Sequence, residues 1–373
     1  MIDTIADGSI SPQLREMGLS GAGGAGFPTY PKWAQLESVD SLLVNHQESD
    51  KNCYMDKWIG REHAAELAEL FEGLLAGPLE RVVIGAKLAD REWSRPLEKE
   101  ADATVYLPDE LPIDPSAESG VVFAYTEEKY QLGMENVLLQ EVGEVVLGKD
   151  LPIDYGWVVQ NTETLYNMHR ALANEEPVLD KYVHVDGYLS DGSRVPHRMF
   201  KVPIGTSAEE LLAAAGVDPN TLGAECIDRD RTLVDGGPGW CFTIQRPADR
   251  YGVTKHTNCL MLLDDELIEE HTYGNGRIDV RDPLTWDQND HATEPVQIEP
   301  ERVHIPTVTN ETYDDVVAAS TPLVGFGDDV KRGEEIAQPK PNGDGFSVSH
   351  HATIDGKVAD VTPREVEIRS HEI

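Results

Sequence analysis

Closely spaced cysteines are missing from this chain. Four occur in 373 residues, Cys53, Cys226, Cys241 and Cys259, and no two of them form a C-x-x-C pair. Ferredoxin-type clusters need thiolates close together in sequence, so no iron–sulfur cluster is expected from this chain alone, and the thiols read as buried and inert. Basic residues are also few: 31 Lys and Arg face 68 Asp and Glu, a formal charge of −37. That balance argues against nucleic acid as a partner, because neutralising phosphates takes clustered cations. No run approaches the roughly 18 apolar residues that span a bilayer, and the N-terminus has no basic stretch followed by an apolar one. A cytoplasmic chain is expected, not itself transmembrane, with room for a place at the periphery of the cytoplasmic membrane. The 12 histidines show no H-E-x-x-H or comparable spacing, so no metal site is predicted.

Apolar residues still make up 40% of the chain and the acids form no tail, so disorder does not follow from the charge. Two readings of the acid excess stay open. One is a salt-adapted, halophile surface that remains hydrated while ions screen it; the other is an acidic patch that docks a basic partner. At roughly 150 residues per domain the length allows about two or three domains.

What the chain does have is a glycine-rich loop: Gly21-Ala22-Gly23-Gly24-Ala25-Gly26-Phe27-Pro28-Thr29-Tyr30-Pro31-Lys32-Trp33. Residues without side chains let backbone N–H groups approach an anion, a helix opening behind them adds its positive end, and Lys32 supplies charge. Ser41 to Asn45 reads as a short buried strand delivering the loop from Asn45 to Asp50, and ligands bind at the carboxyl ends of such strands. Apolar residues recur at helical spacing from Arg61 to Ala76, closed by Gly77-Pro78. Strands are expected at Arg81 to Gly85, Ala103 to Leu107 and Gly156 to Gln160, the last running into a helix near Thr162 with Asn161 at the corner. This alternation predicts an α/β, Rossmann-like core.

The glycine loop resembles the G-x-G-G-A-G-F-P-T-x-x-K-W signature of a flavin-binding family. That family contains the NADH-oxidising flavoprotein subunit of respiratory complex I, its relative RnfC and the cobalamin reductase PduS. A second motif of the complex I subunits, N-A-D-E-S-E-P-G-T-F-K-D-R, is matched from Asn45 to Lys57, with identities at Asn45, Glu48, Ser49 and Asp56 and a conservative Asp50. A third, V-N-N-V-E-T-L, appears as Val159 to Leu165. Departures are Gln47 for Asp, Lys51-Asn52 for Pro-Gly, Ala22 for an Arg that RnfC also lacks, and the missing cluster cysteines.

The resemblance implies FMN, with Gly21, Gly23, Gly24 and Lys32 at its phosphate and ribityl chain and Asn45, Glu48, Ser49 and Asn161 nearer the ring. It also implies NADH as co-substrate. In the complex I relatives an acid at the position of Asp50, a phenylalanine at that of Phe27 and a pair of acids after a Tyr-x-x-Gly segment seat the nicotinamide nucleotide. Tyr125-Thr126-Glu127-Glu128 is taken as the counterpart of that acid pair, without its glycine.

Beyond Lys181 strands alternate, at Tyr182 to Leu189 and Arg198 to Pro203, followed by a helix capped by Ser207 with Glu210 three residues on and closed by Gly216. This resembles the β-grasp module called SLBB that follows the flavin domain in the relatives. Asp235 to Trp240 and Val253 to Asn258 resemble the G-G-P and V-x-K-x-T-N segments of RnfC and PduS, and either could be a tight turn without a ligand. Residues 264–301 read as a polar connection. The final part resembles a barrel-sandwich hybrid domain, with no lysine at the tip of the turn from His350 to Gly356, which rules out a swinging arm. The expected division is therefore a flavin-binding domain over 1–178, a β-grasp domain over 179–263, a connecting segment over 264–301 and a barrel-sandwich domain over 302–373.

Two functions remain open. One is an electron-transfer flavoprotein that oxidises NADH through FMN and passes electrons to a separate redox partner protein or membrane redox complex. The other is a non-catalytic scaffold or sensor subunit of an RnfC-like complex.

Overall fold

The structure, a computed structural model, describes residue 5 and residues 10–189, 191–217, 231–286, 293–311 and 316–371. The chain forms two compact units. Met1–Gly21, Thr29–Ser49 and Met55–Glu176 make the first; Ala22–Pro28, Asp50–Tyr54 and Pro177–Ile373 make the second.

The first unit is built on a parallel sheet of β1 (Ser41–His46), β2 (Arg81–Lys87), β3 (Thr104–Tyr106), β4 (Gly120–Thr126) and β5 (Trp157–Asn161), ordered β3-β4-β2-β1-β5. Its inner strands are near-continuous apolar runs, as burial on both faces of a parallel sheet demands. The helices are α1 (Ile10–Glu16), the single turn α2 (Tyr30–Trp33), α3 (Met55–Glu62), α4 (Ala64–Ala76), α5 (Arg91–Glu100), α6 (Glu135–Gly143) and α7 (Thr162–Asn174). Leu43, Val83, Val122 and Val159 meet Leu138, Leu139 and Val142 of α6 in one core. The expected helix from Arg61 begins at Ala64 instead, because His63 turns out of the helix to hydrogen-bond Glu66 and stack on Tyr166. Ahead of it, the short α3 carries apolar Met55, Trp58 and Ile59 at helical spacing, and the backbone N–H of Asp56 in its first turn is held by the Glu48 carboxylate at 2.6 Å.

The second unit contains a six-stranded sheet of β6 (Asp180–Gly187), β7 (Arg198–Pro203), β8 (Arg231–Gly237), β9 (Trp240–Thr243), β10 (Cys259–Asp264) and β11 (Val296–Gln297), in the order β11-β7-β6-β10-β8-β9. Helix α8 (Ala208–Ala214) packs Leu211 and Leu212 into its core, and the Ser207 hydroxyl caps it by accepting from Glu210 N at 3.2 Å, a contact worth about 1 kcal/mol. Within the stretch expected to be a plain connection lies α9 (Asp265–His271), started by the Asp264 carboxylate accepting from Glu266 N and Leu267 N. Residues 302–371 add β12 (Arg302–Pro306), β13 (Thr321–Pro322), β14 (Asp329–Val330), β15 (Glu335–Gln338), β16 (His350–His351), β17 (Gly356–Thr362) and β18 (Glu365–Ser370). These form a four-stranded sheet, β12-β18-β17-β14, and a three-stranded one, β13-β15-β16. No helix among the described residues is long and apolar enough to cross a membrane.

Candidate functional site

In the first unit the chain leaves β1 toward β2 on one side, while β5 lies on the other. That reversal opens a crevice at the carboxyl ends of β1 and β5, where open parallel sheets bind ligands. Asn45 and Asn161 are register partners there. The Asn45 side-chain amide donates to the Gly133 carbonyl at 2.8 Å. Asn161 caps α7, its Oδ1 accepting from Thr164 N at 3.1 Å, as its place at the strand-to-helix corner predicts.

The acidic loop follows β1 directly. Glu48 has φ 42, uncommon for a residue with a side chain, and is fastened at both ends: Oε2 accepts from Asp56 N at 2.6 Å and its carbonyl from the Lys87 ammonium at 2.9 Å. Burial raises the Glu48 pKa, and Lys57 opposes it. Burial likewise lowers that of Lys87. Asp56 extends the network by accepting from Glu163 N at 3.0 Å, and Lys57 pairs with Asp90 at 3.2 Å. Gln47, where the flavin motif has an acid, is buried and donates to the Thr126 hydroxyl at 3.1 Å. Ser49 lies so close to the Cα of Gly133 that a Cβ there would overlap its Oγ.

Lys32 on α2 donates to the Val159 carbonyl of β5 at 3.1 Å and stands 3.6 Å from Glu135, with 35% of its side chain exposed. An ammonium has three donors, so capacity remains for an anion. Gly21 is half-buried at the end of its segment.

The remaining expected residues belong to the second unit. Gly23 and Gly24 are exposed in a turn. The turn is fastened by the Asn310 amide donating to the Ala25 carbonyl at 2.8 Å and by Gly26, at φ 62, against the Thr309 carbonyl and the His256 ring. Phe27 packs edge-on against Phe346 at 5.4 Å. Asp50 Oδ1 accepts from Gly239 N at 2.8 Å, at the tip of the β8–β9 hairpin. The two segments that could have been idle turns therefore hold loops: Gly237-Pro238-Gly239 holds Asp50, and the loop carrying His256 backs Gly26. Cys53, Cys241 and Cys259 are buried, and burial raises the pKa of Cys241 and Cys259; Cys226 lies outside the described residues. Among the described residues no group of three or more His, Cys, Asp or Glu is arranged to hold a metal ion.

Residues 14–170 match the Nuo51 FMN-binding domain. Over those residues, less than half of the chain, this protein is similar to that FMN-binding domain. Its resemblance to RnfC and PduS holds as well. The RnfC protein of Vibrio cholerae, a component of an ion-translocating oxidoreductase complex, is 27% identical over 253 residues, covering 66% of this chain and 29% of that protein. The cobalamin reductase PduS of Salmonella typhimurium is 29% identical over 259 residues, covering 68% of this chain and 49% of that protein. The chain thus spans less than half the length of either relative. An NAD+-reducing [NiFe]-hydrogenase structure shares the fold at a TM-score of 0.50 and 17% identity, over 69% of this chain and 47% of that one.

Within the matched residues, the first unit gathers Lys32, Asn45, Glu48, Ser49 and Asn161 around the ends of β1 and β5. Glu127 and Glu128 are exposed in the loop after β4, where Glu127 pairs with Lys129 at 2.8 Å and Glu128 acts electrostatically on Lys87. Three residues not singled out from the sequence join the group: Gly133, Glu135 and Lys87. The spacing Tyr130-x-x-Gly133 with an acid two residues on was a usable signal for the first two. Lys87 had none, since a lone lysine at a strand end is usually solvated.

Proposed function

We propose that this chain is an electron-transfer flavoprotein subunit that binds FMN, oxidises NADH and hands the electrons to a separate redox protein or membrane complex. The observation that carries this reading is the pairing of Asn45 with Asn161 at the crevice of a sheet whose sequence matches an FMN-binding domain. In this reading Gly21, Gly23, Gly24 and Lys32 hold the phosphate and ribityl chain, and Asn45, Glu48, Ser49 and Asn161 lie nearer the ring. The donors suit that group: exposed glycines leave backbone N–H groups open, Lys32 keeps spare donors, and the two asparagines offer neutral amides. Bound FMN supplies hydride acceptance and one-electron release. The protein's share is to bind, orient and exclude water, with Lys87 and Asp56 fixing the Glu48 turn.

For NADH, Phe27 and Asp50 remain candidates. Glu127 and Glu128 remain one candidate for the family's acid pair, and Tyr130, Gly133 and Glu135 are a second candidate for that segment, because Gly133 touches Ser49 and Asn45, and Glu135 faces Lys32. The β-grasp and barrel-sandwich modules, within the fourfold division at 178, 263 and 301, serve to dock partners. One observation favours the scaffold reading instead: Asp50 is already engaged by Gly239, so a nucleotide would have to compete for it.

The test is an anaerobic absorption spectrum of the full chain, purified in high salt and loaded with FMN, before and after NADH. A stoichiometric flavin band that bleaches supports the oxidoreductase. A bound flavin that stays oxidised removes NADH as donor, and no bound flavin leaves the scaffold.

A further inference from the structure

Three anchors lay the Asp50–Tyr54 segment on one face of the six-stranded sheet. The Asn52 carbonyl accepts from His197 Nε2 at 2.6 Å, the Asn52 amide donates to Asp186 Oδ2 at 3.1 Å, and the Tyr54 N–H donates to His184 Nε2 at 3.3 Å. On that face Cys259 and Met261, two residues apart on β10, pair in register with His184 and Asp186 on β6. The same Asn52 amide donates to Cys259 Sγ and to Met261 Sδ, each at 3.5 Å, while its Oδ1 accepts from the Cys53 thiol at 3.5 Å. The Cys53 thiol also hydrogen-bonds to that of Cys259. Three sulfur atoms thus surround one buried side-chain amide, and two of them are thiols in contact.

Packing alone does not account for this set. Sulfur is a weak acceptor, and a buried amide is ordinarily matched to oxygen. N–H groups directed at sulfur are the outer contacts that orient and tune coordinated thiolates. Burial, and beyond it Asp186, Asp50 and Asp235, raise the pKa of Cys259, so its proton leaves when a cation takes its place.

The ligand count selects the metal. Zinc takes four ligands, whereas two thiols and one thioether converge here. Cys241 does not join them: it pairs with Gly236 on β8, lies two strands from β10, about 9.6 Å away at the usual strand spacing, and its thiol donates to the Ile278 carbonyl at 3.8 Å. Thiolate and thioether sulfurs select Cu(I). Such an ion needs no cavity of its own, because it sits between the two thiol sulfurs, where their shared proton lies.

We propose that Cys53, Cys259 and Met261 bind one soft monovalent cation of the Cu(I) class. Binding breaks two S–H bonds and forms two sulfur–metal bonds, with the thioether as third ligand. Two protons pass to solvent and no oxidation state changes. The single negative charge that remains faces the Asn52 N–H. The ion staples the segment carrying Asp50 to β10.

The experiment titrates the reduced full chain anaerobically with Cu(I), supplied as its acetonitrile complex against a chromogenic Cu(I) chelator, and counts the protons released. One ion per chain should bind with release of two protons and a higher Tm, and Zn(II) should bind far more weakly. Cys53→Ser and Cys259→Ser should each weaken Cu(I) binding by more than about 100-fold, beyond the range for loss of an outer contact, whereas Cys241→Ser should leave it unchanged. No uptake by the reduced chain, tighter binding of Zn(II), or wild-type affinity in both the Cys53 and Cys259 variants overturns the site. If the serine variants do not fold, Met261→Leu decides, since it conserves volume. X-ray absorption of the Cu(I)-loaded chain should then count three sulfur neighbours in the wild type and two in the variant. An equal count in both, or nitrogen or oxygen neighbours, overturns the proposal.

Discussion

Lys87, at the end of β2, donates its ammonium to the backbone carbonyl of Glu48 at 2.9 Å, and so holds in place a residue whose φ is 42. Left-handed backbone costs a non-glycine residue about 1–2 kcal/mol, which surrounding contacts must outweigh. Lys87→Met removes one of the two fastenings. It should raise the FMN Kd about tenfold and lower stability by about 1.5–3 kcal/mol, the range for a hydrogen bond to a charged group. Flavin fluorescence and chemical denaturation read both. Lys87→Arg should recover part of the affinity, and a Met variant that binds FMN as the wild type does would remove Lys87 from the site.

Lys32→Ala tests the phosphate side. Deleting the ammonium should weaken FMN binding by about 1.5–3 kcal/mol, with little change in riboflavin binding because riboflavin has no phosphate. Equal losses for both ligands would assign Lys32 to the ring side or to the fold alone.

Gly133→Ala tests the close approach to Ser49. A methyl group at Gly133 overlaps both the hydroxyl and the Cβ of Ser49, so rotation of the hydroxyl alone cannot relieve it. Overpacking of this kind costs about 1–3 kcal/mol, and here the displaced atoms belong to the acidic loop. Both Tm and FMN affinity should fall. A lower Tm with unchanged affinity would mean that Ser49 does not reach the flavin.

Stability should also fall with acid in a way that His46 controls. Its ring is buried, hydrogen-bonded to the Thr162 hydroxyl at 2.7 Å, and burial pushes its pKa down to about 4. Below about pH 6.5 the unfolded chain takes up a proton that the folded ring refuses. The contribution is therefore fully present above pH 6.5 and is lost as pH falls toward 4. Between pH 7 and pH 5 the loss is about 2 kcal/mol from this ring. His46→Gln should flatten the pH dependence of the unfolding free energy by that amount, and an unchanged slope would mean that the ring protonates in the folded protein.

The strands and caps of the first unit were legible because their signals are local. Ser41 to Asn45 is an apolar run with a polar end, and Asn161 stands one residue before a helix that its side chain starts. The corner residues Asn45 and Asn161 were legible for the same reason, although nothing in a sequence states that they are register partners. Helix α3 was not, since it is only eight residues long and its anchor is the carboxylate of Glu48. Two adjoining glutamates direct attention to the segment from Tyr125, and the contact of Gly133 with Ser49 brings in the segment from Tyr130 as well. Lys87 became visible only when its strand end met the Glu48 carbonyl.

The short segments 22–28 and 50–54 pack with residues far downstream: Asn310 holds Ala25 from 285 positions away, and Gly239 holds Asp50 from 189. A gene fragment ending near residue 176 would encode the whole parallel sheet yet release both loops from these anchors. The glycine loop is accordingly no portable cassette, and grafting it onto another parallel sheet should fail unless the Val253 to Asn258 loop and the β8–β9 hairpin travel with it.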